Sequence, residues 1–159
     1  PSNIIMRGGR PVLLDFGVVW KWRGGQRPPD FSGTPQYVAP EQILRQPLTP
    51  RTDVYGLGAL LFELLTGARP FRASGSYTDP HAPLAARYPQ LSEDPPPLHR
   101  LNRKVPKELQ AGITRALQRD PNARYESVVA FLMALDQFTN TKIWPGEAMS
   151  NSIDFSPFK

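Results

Sequence analysis

Several kinds of residue and segment are scarce or missing in this sequence, and each absence excludes a class of protein. The 159 residues include no cysteine, which excludes a disulfide scaffold, a zinc–thiolate site and a cysteine nucleophile. The two histidines, His81 and His99, are too few for a histidine metal cluster. No apolar run reaches the length of about 18 residues that a membrane-spanning helix needs, and no basic-then-apolar signal segment opens the chain. We therefore expect a soluble, cytoplasmic protein with one core domain.

Acidic residues are outnumbered by basic ones: 14 Asp and Glu stand against 19 Lys and Arg, for a net charge of +5. A basic balance suits nucleic acid, a membrane surface or a phosphorylated ligand, and it is equally consistent with an ordinary solvated surface. Some of the basic residues gather in two loose groups, within 7–27 and 100–107, and they do not form one tract. No motif that reads bases accompanies them, so we do not expect a nucleic-acid partner.

Proline is the residue in excess, with 19 in the chain, and its distribution indicates where helices can form. The prolines gather in 28–50 and 80–106 and leave three windows free, 51–69, 107–120 and 122–144. Because proline breaks the interior of a helix, this pattern predicts a few firm helices joined by long irregular connections.

The first of these windows contains the strongest helical pattern. Residues 53–66 are apolar on almost every side, which predicts a helix buried all round at the centre of an α-rich domain. We expect Thr52 or Asp53 to cap its start and Gly67 to end it.

Three further helix starts are indicated by residues suited to the first turn or the cap. Pro40 can open a short helix with Glu41 in its first turn, where a carboxylate favours the helix dipole. Pro106 can start another helix, and Ser127 can cap the last one. After residue 139 the periodic pattern stops, so 140–159 are predicted to be a tail or linker.

Two short apolar runs near the start, 4–6 and 12–14, are separated by a gap with two glycines at its centre, which predicts a β-hairpin. The two ends of a hairpin lie side by side, so Asn3 and Asp15 are predicted to be neighbours. An amide oxygen beside a carboxylate suits Mg²⁺. The alternative is that both are ordinary turn residues, since Asn and Asp flank many hairpins.

Two tripeptides in a fixed order carry a resemblance to a known family. Asp-Phe-Gly stands at 15–17 and Ala-Pro-Glu at 39–41, with 21 residues between them. This order and spacing resemble the activation-loop signatures of protein kinases. Further matches are Pro-Ser-Asn at 1–3, Gly-Thr-Pro-Gln-Tyr at 33–37, Asp-Val-Tyr-Gly-Leu-Gly at 53–58 and Asp-Pro-Asn-Ala-Arg at 120–124. The resemblance covers residues 1–138, and the sequence of 37–42 leans towards bacterial serine/threonine kinases.

The resemblance implies a fold and an activity. The fold class is mainly α: residues 1–139 are expected to form the carboxyl-terminal lobe of a protein kinase, a helical bundle around a buried central helix with one small β-hairpin at the amino terminus. The activity is transfer of the γ-phosphate of ATP to a protein serine or threonine, with Mg²⁺ as cofactor. A tyrosine kinase would typically carry a different segment before 39–41.

Five site residues follow from the resemblance, at positions that match its motifs. Asp15 would bind the Mg²⁺ that bridges the β- and γ-phosphates, and Asn3 would bind a second Mg²⁺. Ile5 would contact the adenine, and Phe16 would pack beneath the site, a role compatible with ordinary core packing. Thr34 would line the substrate-binding stretch and help to hold the catalytic aspartate; the alternative is a turn hydroxyl that bonds the local backbone.

The resemblance also assigns structural and regulatory residues. Glu41 and Arg124 would form a buried ion pair, and Asp53 would tether the backbone of the catalytic loop in addition to any capping role. Ser32 is a candidate phosphorylation site in the activation loop. Asp30 lies close to where many relatives carry the phosphorylated residue, so we expect it to supply a constitutive negative charge; the alternative is a solvated loop aspartate.

The family's catalytic aspartate is expected five residues before Asn3, which falls before the first residue of this chain. The amino-terminal lobe, with its glycine-rich loop, is missing as well. We therefore interpret the chain as a lobe fragment that is inactive alone, whose partners are the missing lobe and a protein substrate; membrane attachment is left open. The alternative is a pseudokinase or scaffold lobe that binds proteins, and the presence of both Asn3 and Asp15 favours the active kinase.

Overall fold

A computed structural model describes residues 3–14, 35–72 and 79–139 of the chain. Two strands and six helices follow one another, together with short 3-10 turns at Pro35–Tyr37, Pro89–Leu91 and Pro121–Ala123. In chain order they are β1 Ile4–Arg7, β2 Arg10–Leu13, α1 Pro40–Ile43, α2 Pro50–Thr66, α3 Leu84–Arg87, α4 Leu98–Leu101, α5 Lys107–Ala116 and α6 Val128–Thr139. The mainly helical class with one small hairpin is confirmed. Residues 140–159 lie outside the described part, so the boundary after residue 139 stays a prediction.

The start of α2 lies earlier in the chain than its apolar pattern indicates. Thr49 is the N-cap: its hydroxyl oxygen accepts a hydrogen bond from the Arg51 N–H at 3.3 Å, and the Thr52 hydroxyl accepts one from the Thr49 N–H at 3.3 Å. The prediction that Thr52 or Asp53 caps the helix is therefore wrong. Pro50 explains the difference, because proline fits the first helical position, where its missing N–H group leaves no bond unmade.

The other end of α2 follows the prediction, but the expectation of a helix buried on every side is wrong. Gly67 ends the helix in the left-handed conformation, with φ 71°, and donates its N–H to the Glu63 carbonyl at 2.8 Å. The helix is not buried all round, since Leu64 is 63% exposed. At 17 residues α2 is the longest of the described helices, and no helix among them is long and apolar enough to cross a membrane.

The main core forms where α5 and α6 pack against α2. The three helices contribute these fully buried members to it: Val54, Tyr55, Ala59, Phe62, Ile113, Ala116 and Phe131. Ser127 caps α6 as predicted, because its hydroxyl oxygen accepts a hydrogen bond from the Ala130 N–H at 3.1 Å. Helix α2 is therefore the element against which the other helices of this core pack.

The closest approach between α2 and α5 occurs at a glycine. A Cβ atom added to Gly58 would lie 2.9 Å from the Cβ of Ala116, closer than real Cβ contacts allow. Two residues earlier, a Cβ on Gly56 would have the Tyr37 carbonyl oxygen at 3.8 Å as its nearest neighbour, an ordinary contact. The two glycines therefore differ in packing although both lie inside the same helix.

This difference predicts opposite effects for the same substitution. We expect Gly56→Ala to raise the free energy of unfolding by up to about 1 kcal/mol, the gain in helix propensity. Gly58→Ala makes the same gain but forces α2 and α5 apart, and overpacking of typically about 1–3 kcal/mol outweighs it. Urea unfolding of the two variants beside the wild type measures both values. A Gly58→Ala protein more stable than the wild type would contradict the close approach.

The hairpin has the predicted form. Ile5 pairs with Val12 and Arg7 with Arg10, and the two residues between the strands, Gly8 and Gly9, have φ of 56° and 77°. Positive φ at both positions is the requirement of the tight turn that matches strand twist, and glycine meets it without strain. The next backbone bond, from the Leu14 N–H to the carbonyl of the residue before β1, is 2.7 Å long. The hairpin therefore continues to the very ends at which the sequence predicts a site.

Candidate functional site

Asn3 and Leu14 face each other at the open end of the hairpin, joined by the 2.7 Å bond from the Leu14 N–H to the Asn3 carbonyl. The residue after Leu14 in the chain is Asp15, which lies outside the described residues, so its predicted place beside Asn3 stays a prediction. Asn3 is exposed, and Ile5 is 44% exposed. An amide and a carboxylate are the residue types of a hard-oxygen donor set, the kind of set that Mg²⁺ prefers.

Several of the predicted site residues lie outside the described part of the chain. They are Asp15, Phe16, Asp30, Ser32 and Thr34. Their roles in metal binding, packing and regulation stay predictions. The structure does describe the segment that directly follows Thr34, and this segment is held by unusually specific contacts.

Glu41 on α1 and Arg124 before α6 form a buried ion pair, as the resemblance implies. The Nη1 and Nη2 groups of Arg124 donate to Oε1 and Oε2 of Glu41 at 2.7 and 2.8 Å. Glu41 is 2% exposed and Arg124 1% exposed. This fork-to-fork geometry is the strongest form of an arginine–carboxylate contact. The pair joins positions 83 residues apart in the sequence.

The rest of the Arg124 guanidinium group is satisfied by backbone carbonyls. Its Nε donates to Gln118 at 2.7 Å, Nη1 also donates to Arg51 at 3.0 Å, and Nη2 also donates to Arg119 at 3.1 Å. All five N–H donors of the side chain therefore have an acceptor. The guanidinium carbon lies 4.8 Å from the ring centre of Tyr55 on α2. Arg124 thus joins α1, α2 and the connection before α6.

Asp53 lies in the first part of α2 and is exposed on one side. Its carboxyl group is nevertheless desolvated by the atoms around it, and this desolvation raises the pKa of Asp53 above its ordinary value. The tether between Asp53 and the catalytic-loop backbone stays a prediction. The desolvation disfavours the charged form of the Asp53 side chain in the folded state.

The raised pKa predicts how a substitution at this position depends on pH. A carboxyl group whose pKa is higher in the folded state stabilises the fold at low pH, and that contribution is lost as the pH rises through the folded pKa. We therefore expect Asp53→Asn to raise the free energy of unfolding at pH 7, and the gain to fade as the pH falls towards about 4, the ordinary aspartate pKa. Urea unfolding across this range measures the effect.

The matched control for Asp53 is the exposed carboxylate of Glu93. Glu93→Gln is expected to leave the free energy of unfolding nearly unchanged, because substitutions at such surface positions usually lie within about 0.5 kcal/mol. An Asp53→Asn protein less stable than the wild type at pH 7 would show that helix-dipole attraction outweighs desolvation at this position.

Residues 35–38, which precede α1 and are called the 35–38 segment below, are anchored to α2 through a side chain. The hydroxyl of Tyr37 donates to Glu63 Oε2. Glu63 also lies 3.9 Å from the Nε of Arg69, whose guanidinium carbon is 5.8 Å from the Tyr37 ring centre. Burial, and then the hydrogen bond to Glu63, raise the pKa of Tyr37. Sequence reasoning did not find this cluster, because nothing in the local pattern marks Glu63 as a partner.

The same segment is anchored a second time, through its backbone. Gln90, in the proline-rich connection after α3, is 2% exposed, and its Nε2 donates to the carbonyls of Pro35 at 2.8 Å and Val38 at 3.2 Å. The contacts span 55 and 52 residues of sequence. Sequence reasoning missed Gln90 as well, since a lone glutamine among prolines is normally read as a solvated loop residue.

The described fold combines a central helix, a buried arginine–glutamate pair that joins α1 to the connection before α6, and a small hairpin. The solved structure of the Cydia pomonella granulovirus kinase PK-1 has this fold, with a TM-score of 0.62 over 82% of this chain and 46% of that chain, at 21% identity. The family model for the protein kinase domain matches residues 1–135. The chain therefore belongs to the protein kinase domain family, and the recognition made from its motifs is confirmed.

Curated bacterial proteins are among the relatives of this chain. The chain is 35% identical over 135 residues to the serine/threonine-protein kinase PksC of Streptomyces coelicolor, which covers 82% of this chain and 23% of the relative. It is 38% identical over 144 residues to the serine/threonine-protein kinase Pkn1 of Myxococcus xanthus, which covers 85% of this chain and 20% of the relative. The chain thus spans between a fifth and a quarter of the length of these relatives.

Proposed function

We propose that this chain is the carboxyl-terminal lobe of a protein serine/threonine kinase, which transfers the γ-phosphate of ATP to serine or threonine hydroxyls of protein substrates. The observation that carries the proposal is the kinase-domain match over residues 1–135. The names of the relatives from Streptomyces and Myxococcus support serine/threonine specificity. The intact Asn3 and the Asp-Phe-Gly motif support an active enzyme over a scaffold.

Protein kinases generally use ATP and Mg²⁺, and the residues at the hairpin end fit that chemistry. Asn3 and Asp15 would hold the metal, which when bound neutralises the charge of the phosphates. Ile5 offers an exposed apolar surface on which an adenine can lie. Thr34 and the 35–38 segment would present the hydroxyl-bearing substrate, and the anchors of this segment keep it in place during the reaction.

The exposed apolar side chains of the hairpin support an amino-terminal lobe as the partner of the lobe described here. Ile5 and Val12, which pair across the strands and share one face, are 44% and 37% exposed, and Met6 on the other face is 66% exposed. Exposed apolar surface on both faces of a hairpin is consistent with a second domain that covers it. In the proposed enzyme the second lobe covers the hairpin and closes the ATP site.

The test is to express the complete reading frame that encodes this chain and to assay it with labelled ATP, Mg²⁺ and a generic basic protein substrate. We expect the sequence upstream to supply an aspartate five residues before Asn3, and label to appear on serine or threonine. A folded product that incorporates no phosphate would overturn the proposal and favour the scaffold alternative.

A further inference from the structure

Gln90 is the polar side chain whose contacts bear most directly on the proposed substrate site. It is 2% exposed, and its side-chain nitrogen donates two hydrogen bonds to the 35–38 segment, at the Pro35 and Val38 carbonyls. We propose that Gln90 is a positioning residue that fixes this segment for binding of the protein substrate. The inference rests on the proposed function, because that function makes the residues after Thr34 part of the substrate-binding stretch.

The chemistry of the contact requires a neutral amide. A carboxamide nitrogen carries two N–H donors, and here each donor meets one backbone carbonyl, at 2.8 and 3.2 Å. The Pro35 carbonyl also accepts a longer bond from the Val38 N–H, at 3.4 Å. The buried Val38 carbonyl must find water or another donor if the Gln90 amide is lost. The Gln90 amide therefore strengthens the hold on the backbone between Pro35 and Val38.

The backbone of Gln90 lies in a well-packed turn, so its amide group can hold the two carbonyls at a defined position. Tyr88 and Leu91 flank it and pack with Val38 and Ile43 in a small apolar cluster that is separate from the main core. Gln90 lies in the 3-10 turn Pro89–Leu91, which gives it a defined backbone. The connection after α3 and the 35–38 segment thus form one packed unit with the Gln90 amide between them.

The two anchors of the segment act on different groups. The Tyr37 hydroxyl donates a hydrogen bond to Glu63, whereas the Gln90 amide binds the backbone carbonyls on either side of Tyr37. Loss of the Gln90 amide leaves the Tyr37 contact and the α1 helix in place. The expected result is a local displacement of the segment, which alters binding of the protein substrate, and not a loss of the fold or of ATP binding.

The test is Gln90→Glu in the product of the complete reading frame. The glutamate keeps the shape of the side chain but places acceptors against two carbonyl oxygens. We expect KM for the protein substrate to rise at least about tenfold, as leaving buried polar groups unpaired has an effect of that order, while KM for ATP stays within about twofold of the wild type. Lowering the pH restores part of the affinity, because a protonated carboxyl regains one O–H donor. If Gln90→Glu does not fold, Gln90→Met removes the donors without adding a charge.

The matched control is Asn102→Asp, the same amide-to-carboxylate change at another structural hydrogen bond. The Nδ2 of Asn102 donates to the Leu65 carbonyl at 2.8 Å, at the end of α2. This variant is expected to lower stability and to leave KM for the protein substrate unchanged. Equal KM values for the wild type and the Gln90 variants, or an equal rise in Asn102→Asp, would overturn the inference.

Hydrogen exchange separates failure of this inference from failure of the proposed function. In Gln90→Glu, the amides of Val38 and Ala39 are expected to exchange faster, while those of α1, α2 and α5 do not change. Unchanged exchange at Val38 and Ala39 overturns the positioning role whatever the activity. If the wild type transfers no phosphate, the proposed function fails, and exchange in these residues still decides whether Gln90 holds the segment.

Discussion

Replacing Arg124 with methionine is expected to lower the free energy of unfolding by about 3–5 kcal/mol, the usual loss when one partner of a buried ion pair is removed. The substitution leaves the Glu41 carboxylate buried without its partner, since Glu41 is 2% exposed. It also leaves three backbone carbonyls without the donors that Arg124 supplies, on Arg51, Gln118 and Arg119. Urea or thermal unfolding measures the loss.

A double variant distinguishes the loss of stability caused by the unpaired charge from the loss caused by the missing hydrogen bonds and packing. Arg124→Met combined with Glu41→Leu removes both charges together, and buried pairs replaced in this way are often tolerated. We expect the double variant to be more stable than Arg124→Met alone, although the three carbonyls keep it below the wild type. If Arg124→Met yields no folded protein, Arg124→Lys, which keeps the charge but not the fork of five donors, gives the same comparison.

Two further variants serve as controls for the loss of stability expected in Arg124→Met. Arg119→Met breaks a surface ion pair with Asp94, which is 83% exposed in its side chain, so a loss of less than about 1 kcal/mol is expected. Tyr55→Phe keeps the ring beneath Arg124 and removes a buried hydroxyl that has no hydrogen-bond partner among the described residues, so stability is expected to stay the same or rise. A loss in Arg124→Met no greater than that in Arg119→Met would contradict the role of the pair.

Asp15→Asn in the product of the complete reading frame is expected to lower kcat at least about 100-fold, because a bound metal supplies several kcal/mol of charge stabilisation in the transition state. The amide keeps the size of the side chain and removes the negative charge that the metal needs. The measurement is the rate of phosphate transfer as a function of Mg²⁺ concentration. Stability is expected to change little, since the neighbouring end of the hairpin is exposed.

The matched control is Asp79→Asn, an exposed aspartate whose side chain accepts a hydrogen bond from the His81 N–H at 2.9 Å. This change removes the same charge in a surface turn, and activity is expected to stay within about twofold of the wild type because surface substitutions away from a site have small effects. Full activity of Asp15→Asn, or an equal loss in Asp79→Asn, would show that the Asp-Phe-Gly motif does not serve the reaction.

The elements that could be predicted from the sequence are those whose signal is local. Gly8 and Gly9 between two apolar runs indicate the hairpin, and Gly67 and Ser127 mark helix ends, because turn and cap geometry depends on a few neighbouring residues. The start of α2 was predicted three or four residues too late, since Thr49 lies outside the apolar pattern and only its hydrogen bonds identify it as the cap. The kinase motifs, which are also local, identified the family.

The sequence by itself determined the class of fold, the family and the residue types at the hairpin end. The tertiary structure decided how the 35–38 segment is held, through Glu63 on α2 and Gln90 more than fifty residues away. It also decided that all five donors of Arg124 are used. The physical reason is that turns and caps depend on neighbours in the chain, whereas a buried amide or guanidinium group finds its acceptors only when distant segments have packed together.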